Sequence, residues 1–391
     1  MTGHQHQHPD RPDDGTARPA PVERIALPDG RTVWSVTRYA AVRALLADTD
    51  RFSNDASAMG AAAPLGALPA EVREVVAGDM LNTDPPRHTR LRQLVAHAFT
   101  ARRVAGLRPS VERTAVRLAA DLADRPDADL LAGYARPLPT LVLTALLGIP
   151  AADAGRVGAW SETFVTELLG AGDRDDLLAA TRALLDYAGE LVARRRTEAA
   201  GEDLVAELIG AGLDDTELVS MVFVLLVAGQ TATAQLIAKT ALLLLTDPGQ
   251  LALARADRAL IPGAVEEALR IDPPLRVSAF RRARRDVTVD GTVVPAGEIV
   301  LGSLSAAHRD PARYTDPDRA DIRRTDLRHL AFGHGIHRCL GAGLARAEAE
   351  VAIAVLLDRF PALRLAGTGV RHQDAGIMRK ITALPVRLLP G

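Results

Sequence analysis

Phe332-Gly333-His334-Gly335-Ile336-His337-Arg338-Cys339-Leu340-Gly341 carries the only cysteine among 391 residues. A lone cysteine is most often a small buried hydrophobe. This one lies in a loop with three glycines, two histidines and an arginine, just before an apolar helix expected over Gly341 to Asp358. Its sulfur therefore faces a helix N-terminus and backbone N–H groups, which favour an anion. Gly333, Gly335 and Gly341 let the backbone come close to whatever the sulfur meets. The setting suits a thiolate that is reached by a large flat ligand and kept ionised.

The rest of the chain reads as one globular unit. It is 48% hydrophobic and 25% charged, with a net charge of −2. That balance speaks against nucleic acid as a partner, since no basic excess is available to neutralise phosphates. One cysteine forbids an intramolecular disulfide and fits a reducing compartment, so a cytoplasmic location is expected. Residues 1–20 are rich in His, Pro, Asp and Gly and have no apolar run. They are expected to be a disordered leader, neither signal peptide nor membrane anchor.

Trp34 to Ala47 reads as a strand and then a helix, and 55–78 as a loop rich in Ala, Gly and Pro. Helical periodicity dominates from Pro86 to Arg270, punctuated by prolines. Asp286 to Gly297 alternates apolar and polar residues around Asp290-Gly291, a hairpin signal. Leu363 to Leu389 reads as short strands. The expected fold class is mainly α with small β-sheets in a single domain.

Leu218 to Leu245 holds Lys239 as its only formal charge and passes a hydropathy test for a membrane span. Its centre, Gln230-Thr231-Ala232-Thr233-Ala234-Gln235, places four polar side chains where lipid would penalise them. Asp214-Asp215-Thr216-Glu217 supplies a helix start and Asp247-Pro248-Gly249 a stop. The reading is therefore a helix over about 215–246, roughly 48 Å long at 1.5 Å per residue, buried at the centre of the domain and not in a membrane.

The cysteine loop resembles the haem-ligand loop of the cytochrome P450 family, Phe-x-x-Gly-x-x-x-Cys-x-Gly. Three further family motifs precede it in the right order, and the resemblance covers residues 25–390, most like the soluble bacterial branch. It implies a triangular-prism P450 domain over 21–391, with the long helix crossing a haem b group. Cys339 becomes the axial iron ligand, with Phe332 and Gly341 in the haem loop. His88 and Arg92, in Asp84-Pro-Pro-Arg-His88-Thr-Arg-Leu-Arg92, match the family's propionate pair, and lie four apart on one helix face. His337 and Arg281 fill the other propionate positions, although Arg282 is adjacent and could replace Arg281. Glu267-Ala-Leu-Arg270 matches Glu-x-x-Arg, whose third member is expected to be Arg319. These three are given a structural role.

One motif departs from the family. Ala228-Gly229-Gln230-Thr231-Ala232-Thr233 stands where the pattern is Ala/Gly-Gly-x-Asp/Glu-Thr-Thr/Ser, an acid–alcohol pair that delivers protons for dioxygen reduction. Thr231 replaces the acid and Ala232 the alcohol, while Thr233 keeps the last hydroxyl. Gln230, Thr231, Ala232 and Thr233 are the expected catalytic positions. Protons then come from the substrate, from water held by Gln230, Thr231 or Thr233, or the enzyme couples or desaturates in place of hydroxylating.

The resemblance implies a monooxygenase-class oxidoreductase that uses dioxygen on a small natural product. Electrons would come from a separate ferredoxin and ferredoxin reductase, and the enzyme would act as a monomer. Its pocket is expected to include Phe223, Ala228, Val277, Ser278 and Ile377. The competing readings are a non-catalytic auxiliary protein and a haem sensor of the same fold. Retention of Cys339, His88, Arg92 and His337 argues against the first, and the lack of a visible output domain against the second.

Overall fold

The computed structural model describes residues 19–27, 30–59, 64–123, 127–169, 173–198, 203–367, 369–375 and 377–388. The expected leader lies almost entirely outside the described residues. Five short strands form the largest sheet: β1 (Val22–Ala26), β2 (Thr32–Val36), β3 (Phe52–Ser53), β4 (Arg281–Ala283) and, after a hairpin, β7 (Ile299–Gly302). Their order is β1-β2-β7-β4-β3. Helix α1 (Tyr39–Ala47) follows β2, as its sequence predicts. The hairpin pairs β5 (Val287–Val289) with β6 (Thr292–Val294) in the register Val289↔Thr292. Its turn residues Asp290 and Gly291 both have positive φ, 45° and 85°, which explains the Asp-Gly signal.

The helices that frame the site are α2 (Arg87–Ala96), α3 (Ala101–Ala123), α4 (Pro137–Leu146), α5 (Ala154–Leu169), α6 (Arg174–Thr197), α7 (Asp215–Ala228), α8 (Thr231–Thr246), α9 (Ile261–Ile271) and α10 (Ala342–Arg359). Near the C-terminal end β8 (Arg371–Ala375) pairs with β9 (Met378–Ala383), and Pro385–Arg387 follows as a strand between Asp127–Asp129 and Arg364–Leu365. The stretch 55–78 is not a plain loop. It folds into short helical pieces at Ala56–Met59, Pro64–Ala67 and Ala70–Val76, because Val72 and Val76 recur four apart and are buried.

The expected single helix over 215–246 is interrupted. Asp214 starts α7 by accepting from the Glu217 N–H at 2.8 Å. The run ends at Ala228, and α8 begins at Thr231. The two halves serve different cores. Leu218 to Val227 join a cluster with α5 and α6, whereas Leu236 to Leu244 join one with α3, α9 and α10. The combined run is 83% buried in its most apolar window, as a core helix is.

Candidate active site

The cysteine loop is pressed against the end of α1. Gly335 has φ +76°, and a Cβ there would stand 2.5 Å from the Leu46 carbonyl oxygen, so a side chain is excluded twice over. The Cys339 N–H donates to the Phe332 carbonyl at 2.8 Å and closes the loop. The Phe332 ring lies under the Arg346 guanidinium, 4.5 Å from carbon to centroid. Gly341 caps α10. The cysteine is exposed on its surface, yet protein crowds it on most sides. That burial pushes its thiol up, while the Gly341 N–H and the Arg92, Arg338 and Arg346 guanidiniums work the other way.

Four basic side chains converge beside the loop. His88 is 2% exposed and Arg281 also 2%. The rings of His88 and His337 lie 4.3 Å apart between centroids. Arg92 donates from Nη2 to the Arg338 carbonyl at 2.5 Å, and Arg281 from Nη2 to that of Leu46 at 3.0 Å. Burial, then the neighbouring His88, Arg281 and Arg92, lowers His337 to about 3. Burial lowers Arg281 to about 10. Burial and then Arg92 lower His88, while Asp84 and then the Ile336 backbone pull the other way. Both nitrogens of His88, Nε2 of His337 and Nε of Arg281 are buried without a hydrogen-bond partner. Along β4 Arg281 is buried and Arg282 half-buried on the opposite face.

Orphaned buried donors of this kind are costly unless a ligand completes them. An exposed sulfur with four clustered bases fits an iron porphyrin, whose two propionates are anionic and whose iron accepts a thiolate. The residues that could hold it are therefore Cys339, His88, Arg92, His337 and Arg281.

A buried scaffold ties α9 to this loop. Arg270 and Glu267 are both fully buried, and pair through two 2.8 Å hydrogen bonds. Arg270 also donates to the carbonyls of His308, Pro317 and Arg319. The third member differs from expectation. Arg319 contributes its carbonyl, and the guanidinium that reaches Glu267 belongs to Arg324, at 3.3 Å. Arg324 lies five residues on, and it also holds the carbonyls of Thr315, Asp316 and Arg319, so it laces the irregular segment together.

His308 was not foreseen; nothing in its spacing marks it. It is fully buried and held far below the usual imidazole range, first by burial and then by His329. Its Nε2 accepts from the Leu330 N–H at 2.8 Å, so the neutral ring carries its proton on Nδ1, which donates to the Arg270 carbonyl at 3.1 Å. A continuous chain thus runs from Glu267 through Arg270, His308 and Leu330 to the loop.

The helix break is held by side chains from neighbouring elements. Gln230 Nε2 donates to the Leu226 carbonyl at 2.6 Å and to Ser161 Oγ at 3.2 Å. Its Oε1 accepts from Thr140 Oγ1 at 2.9 Å, and Ser161 Oγ also donates to the Leu226 carbonyl. Side chains therefore occupy a carbonyl that a continuous helix would give to the residue 230 N–H. Gln230, expected among the catalytic positions, is buried in this capping network and turned into α4 and α5. Thr233 is buried as well. Ala228 is exposed and Ala232 half-buried, four apart on one face of an otherwise buried run.

Thr231 Oγ1 donates to Glu162 Oε2 on α5 at 2.9 Å, and Lys380 of β9 pairs with the other oxygen of that carboxylate. Glu162 and Lys380 were not foreseen, because they meet Thr231 only in the folded chain. Of the expected pocket residues, Ala228 and the half-buried Ile377 are accessible. Phe223 is 1% exposed and sits edge-on to Phe164 in the core, so it does not line an open surface. Val277 and Ser278 are buried too, the latter accepting from the Gly302 N–H.

Fold and site together suit a haem-binding oxidoreductase, with Cys339 exposed on its surface beside the cluster of bases. The family model for cytochrome P450 matches residues 252–384. Cytochrome P450 107B1 of Saccharopolyspora erythraea is 42% identical over 382 residues, covering 95% of this chain and 93% of that protein. The mycinamicin IV hydroxylase/epoxidase of Micromonospora griseorubida is 42% identical over 376 residues, covering 94% and 92%. The structure of the tirandamycin C-bound P450 monooxygenase TamI superposes with a TM-score of 0.85 at 40% identity, covering 94% of each chain. The chain belongs to the cytochrome P450 family and is an oxidoreductase of its monooxygenase class. Membership brings a haem iron cofactor and the use of dioxygen.

Proposed function

We propose that the chain is a bacterial haem-thiolate monooxygenase that oxidises a small natural product, with haem b held by Cys339. Relatives named for oxidation of mycinamicin IV and 6-deoxyerythronolide B support that substrate class. The observation that carries the reading is the set of buried, unpartnered nitrogens on His88, His337 and Arg281 around the sulfur. When bound, the haem supplies dioxygen activation, driven by electrons from a separate ferredoxin and its reductase.

The chain's own residues then divide the work. Cys339, oriented by the Phe332 carbonyl and the Gly341 N–H, presents its sulfur as thiolate. Arg92 and Arg281 would neutralise the propionates, and His88 and His337 would offer ring N–H groups to them, in charge-assisted hydrogen bonds. Glu267, Arg270 and Arg324 hold the loop's support. Ala228 and Ala232 offer a small apolar face to substrate. Since Thr231 and Ala232 carry neither the usual acid nor the usual alcohol, protons arrive by a changed route. The product is an alcohol or a coupled or desaturated compound. A single P450 domain over 21–391, working as a cytoplasmic monomer, completes the reading.

The test is the spectrum of the reduced, carbon-monoxide-bound protein. Thiolate ligation gives the strongly red-shifted Soret band, and Cys339→Ser removes it. The same spectrum in wild type and variant would overturn the assignment.

A further inference from the structure

We propose that Glu162, acting through Thr231, is the acid of proton delivery in this enzyme, standing in from a neighbouring helix for the carboxylate that the broken helix lacks. This rests on the haem-thiolate reading above and deepens it.

Three separate elements build the arrangement. Thr231 opens α8 directly beside Ala232 on the accessible face, and is itself only 5% exposed. Its hydroxyl donates to Glu162 Oε2 at 2.9 Å. The other oxygen of Glu162 pairs with Lys380 Nζ, and that ammonium also donates to Thr166 Oγ1 at 2.6 Å. Lys380 is 3% exposed, so its charge needs this carboxylate. The Glu162 side chain keeps 28% of its surface in solvent. Gln235 pins β9 to α8 by accepting from the Ile381 N–H at 2.7 Å and donating to its carbonyl at 2.9 Å, which keeps Lys380 in register with Thr231. One end of the set is wet, and the other borders the Ala228–Ala232 face.

The proton balance is simple. At rest, the Thr231 hydroxyl donates to the carboxylate. In one concerted step a proton from solvent reaches Glu162, the carboxyl passes a proton to Thr231 Oγ1 and the hydroxyl proton moves inward, so that Lys380 keeps its anionic partner throughout. The consumer is dioxygen, which takes two protons and two electrons to leave as hydrogen peroxide, or four of each to leave as two waters. Electrons come from the ferredoxin.

The experiment uses the holoenzyme with a surrogate ferredoxin, ferredoxin reductase, NADPH and dioxygen, with no added substrate. Glu162→Gln keeps the shape and a carbonyl acceptor for Thr231 but loses the acid, and it is made both alone and with Lys380→Met, so that no buried ammonium is left without its carboxylate. The expected result is water formation slowed about a hundredfold, the low end for general acid catalysis, with electrons diverted to peroxide. Thr231→Val should lose as much, and the Glu162→Gln/Thr231→Val double variant no more. A role in packing alone predicts that Glu162→Gln partitions electrons as wild type does, which would overturn the proposal.

A second readout is independent of turnover. Equilibrium unfolding of the two single variants and the double should give non-additive losses, because the side chains touch; additive losses would also overturn it. The carbon-monoxide spectrum separates the two levels. If wild type lacks the red-shifted band, both readings fall; if the band is present and Glu162→Gln behaves as wild type, only this one does.

Discussion

The cysteine loop and the α7–α8 break are built by opposite means. The Cys339 loop is local: ten consecutive residues supply the sulfur, the glycine turns and the N-cap of α10, and short backbone hydrogen bonds close it. The α7–α8 break is assembled from distant parts of the chain. Gln230 borrows Thr140 and Ser161, and Thr231 borrows Glu162 from 69 residues away and, through it, Lys380. A ligand that must approach one atom closely needs a fixed loop. A proton path needs only donors in sequence, and different elements can supply them.

The strongest way to break this contrast is to cut the scaffold behind the cysteine loop. Arg270→Ala leaves Glu267 fully buried with half its partners, and a broken buried pair costs about 3–5 kcal/mol. Denaturant unfolding should show that loss together with poor haem retention. Arg324→Ala, which removes the second guanidinium from Glu267, should cost about 1–3 kcal/mol by the same measurement. Arg319→Ala should stay within about 0.5 kcal/mol of wild type, because only its carbonyl is used. Equal losses at 319 and 324 would contradict the triad drawn here.

The basic cluster sharpens the comparison through a change of sign. Arg281→Gln should weaken haem retention by about 1.5–3 kcal/mol, the worth of a hydrogen bond to a charged group. The same change should leave the haem-free chain as stable or more so, because it relieves a buried cation lacking a partner at Nε. Haem transfer to apomyoglobin and apoprotein melting read the two effects separately.

A smaller effect comes from His308. Burial holds it neutral when folded, far below its ordinary value of 6.5, so the unfolded chain binds more protons below that pH. Stability from this group is complete above about pH 6.5 and falls as the pH drops. Denaturation midpoints at pH 7 and 5 should converge in His308→Gln relative to wild type.

Much of the molecule was legible in its residue order. The hairpin showed because Asp290-Gly291 can take positive φ. The haem loop showed because its chemistry is contiguous, and the pair His88 and Arg92 because helical spacing puts both on one face. The break at Gly229-Gln230 was legible only through the family motif, which implies a kink there: the run stays apolar on both sides, and what ends α7 is the Gln230 side chain folding back on Leu226 with help from α4 and α5. Arg324 and His308 were hidden because the segment 308–329 has no periodicity, and either of several arginines could have reached Glu267. Phe223 looked like pocket lining by position, yet Phe164 captures its ring.

The central claim is that Cys339 places sulfur on iron. X-ray absorption at the iron edge of the holoenzyme measures this directly. A sulfur neighbour in the first coordination shell of wild type, absent in Cys339→Ser, is the predicted result. A shell of nitrogen and oxygen alone in wild type would contradict it.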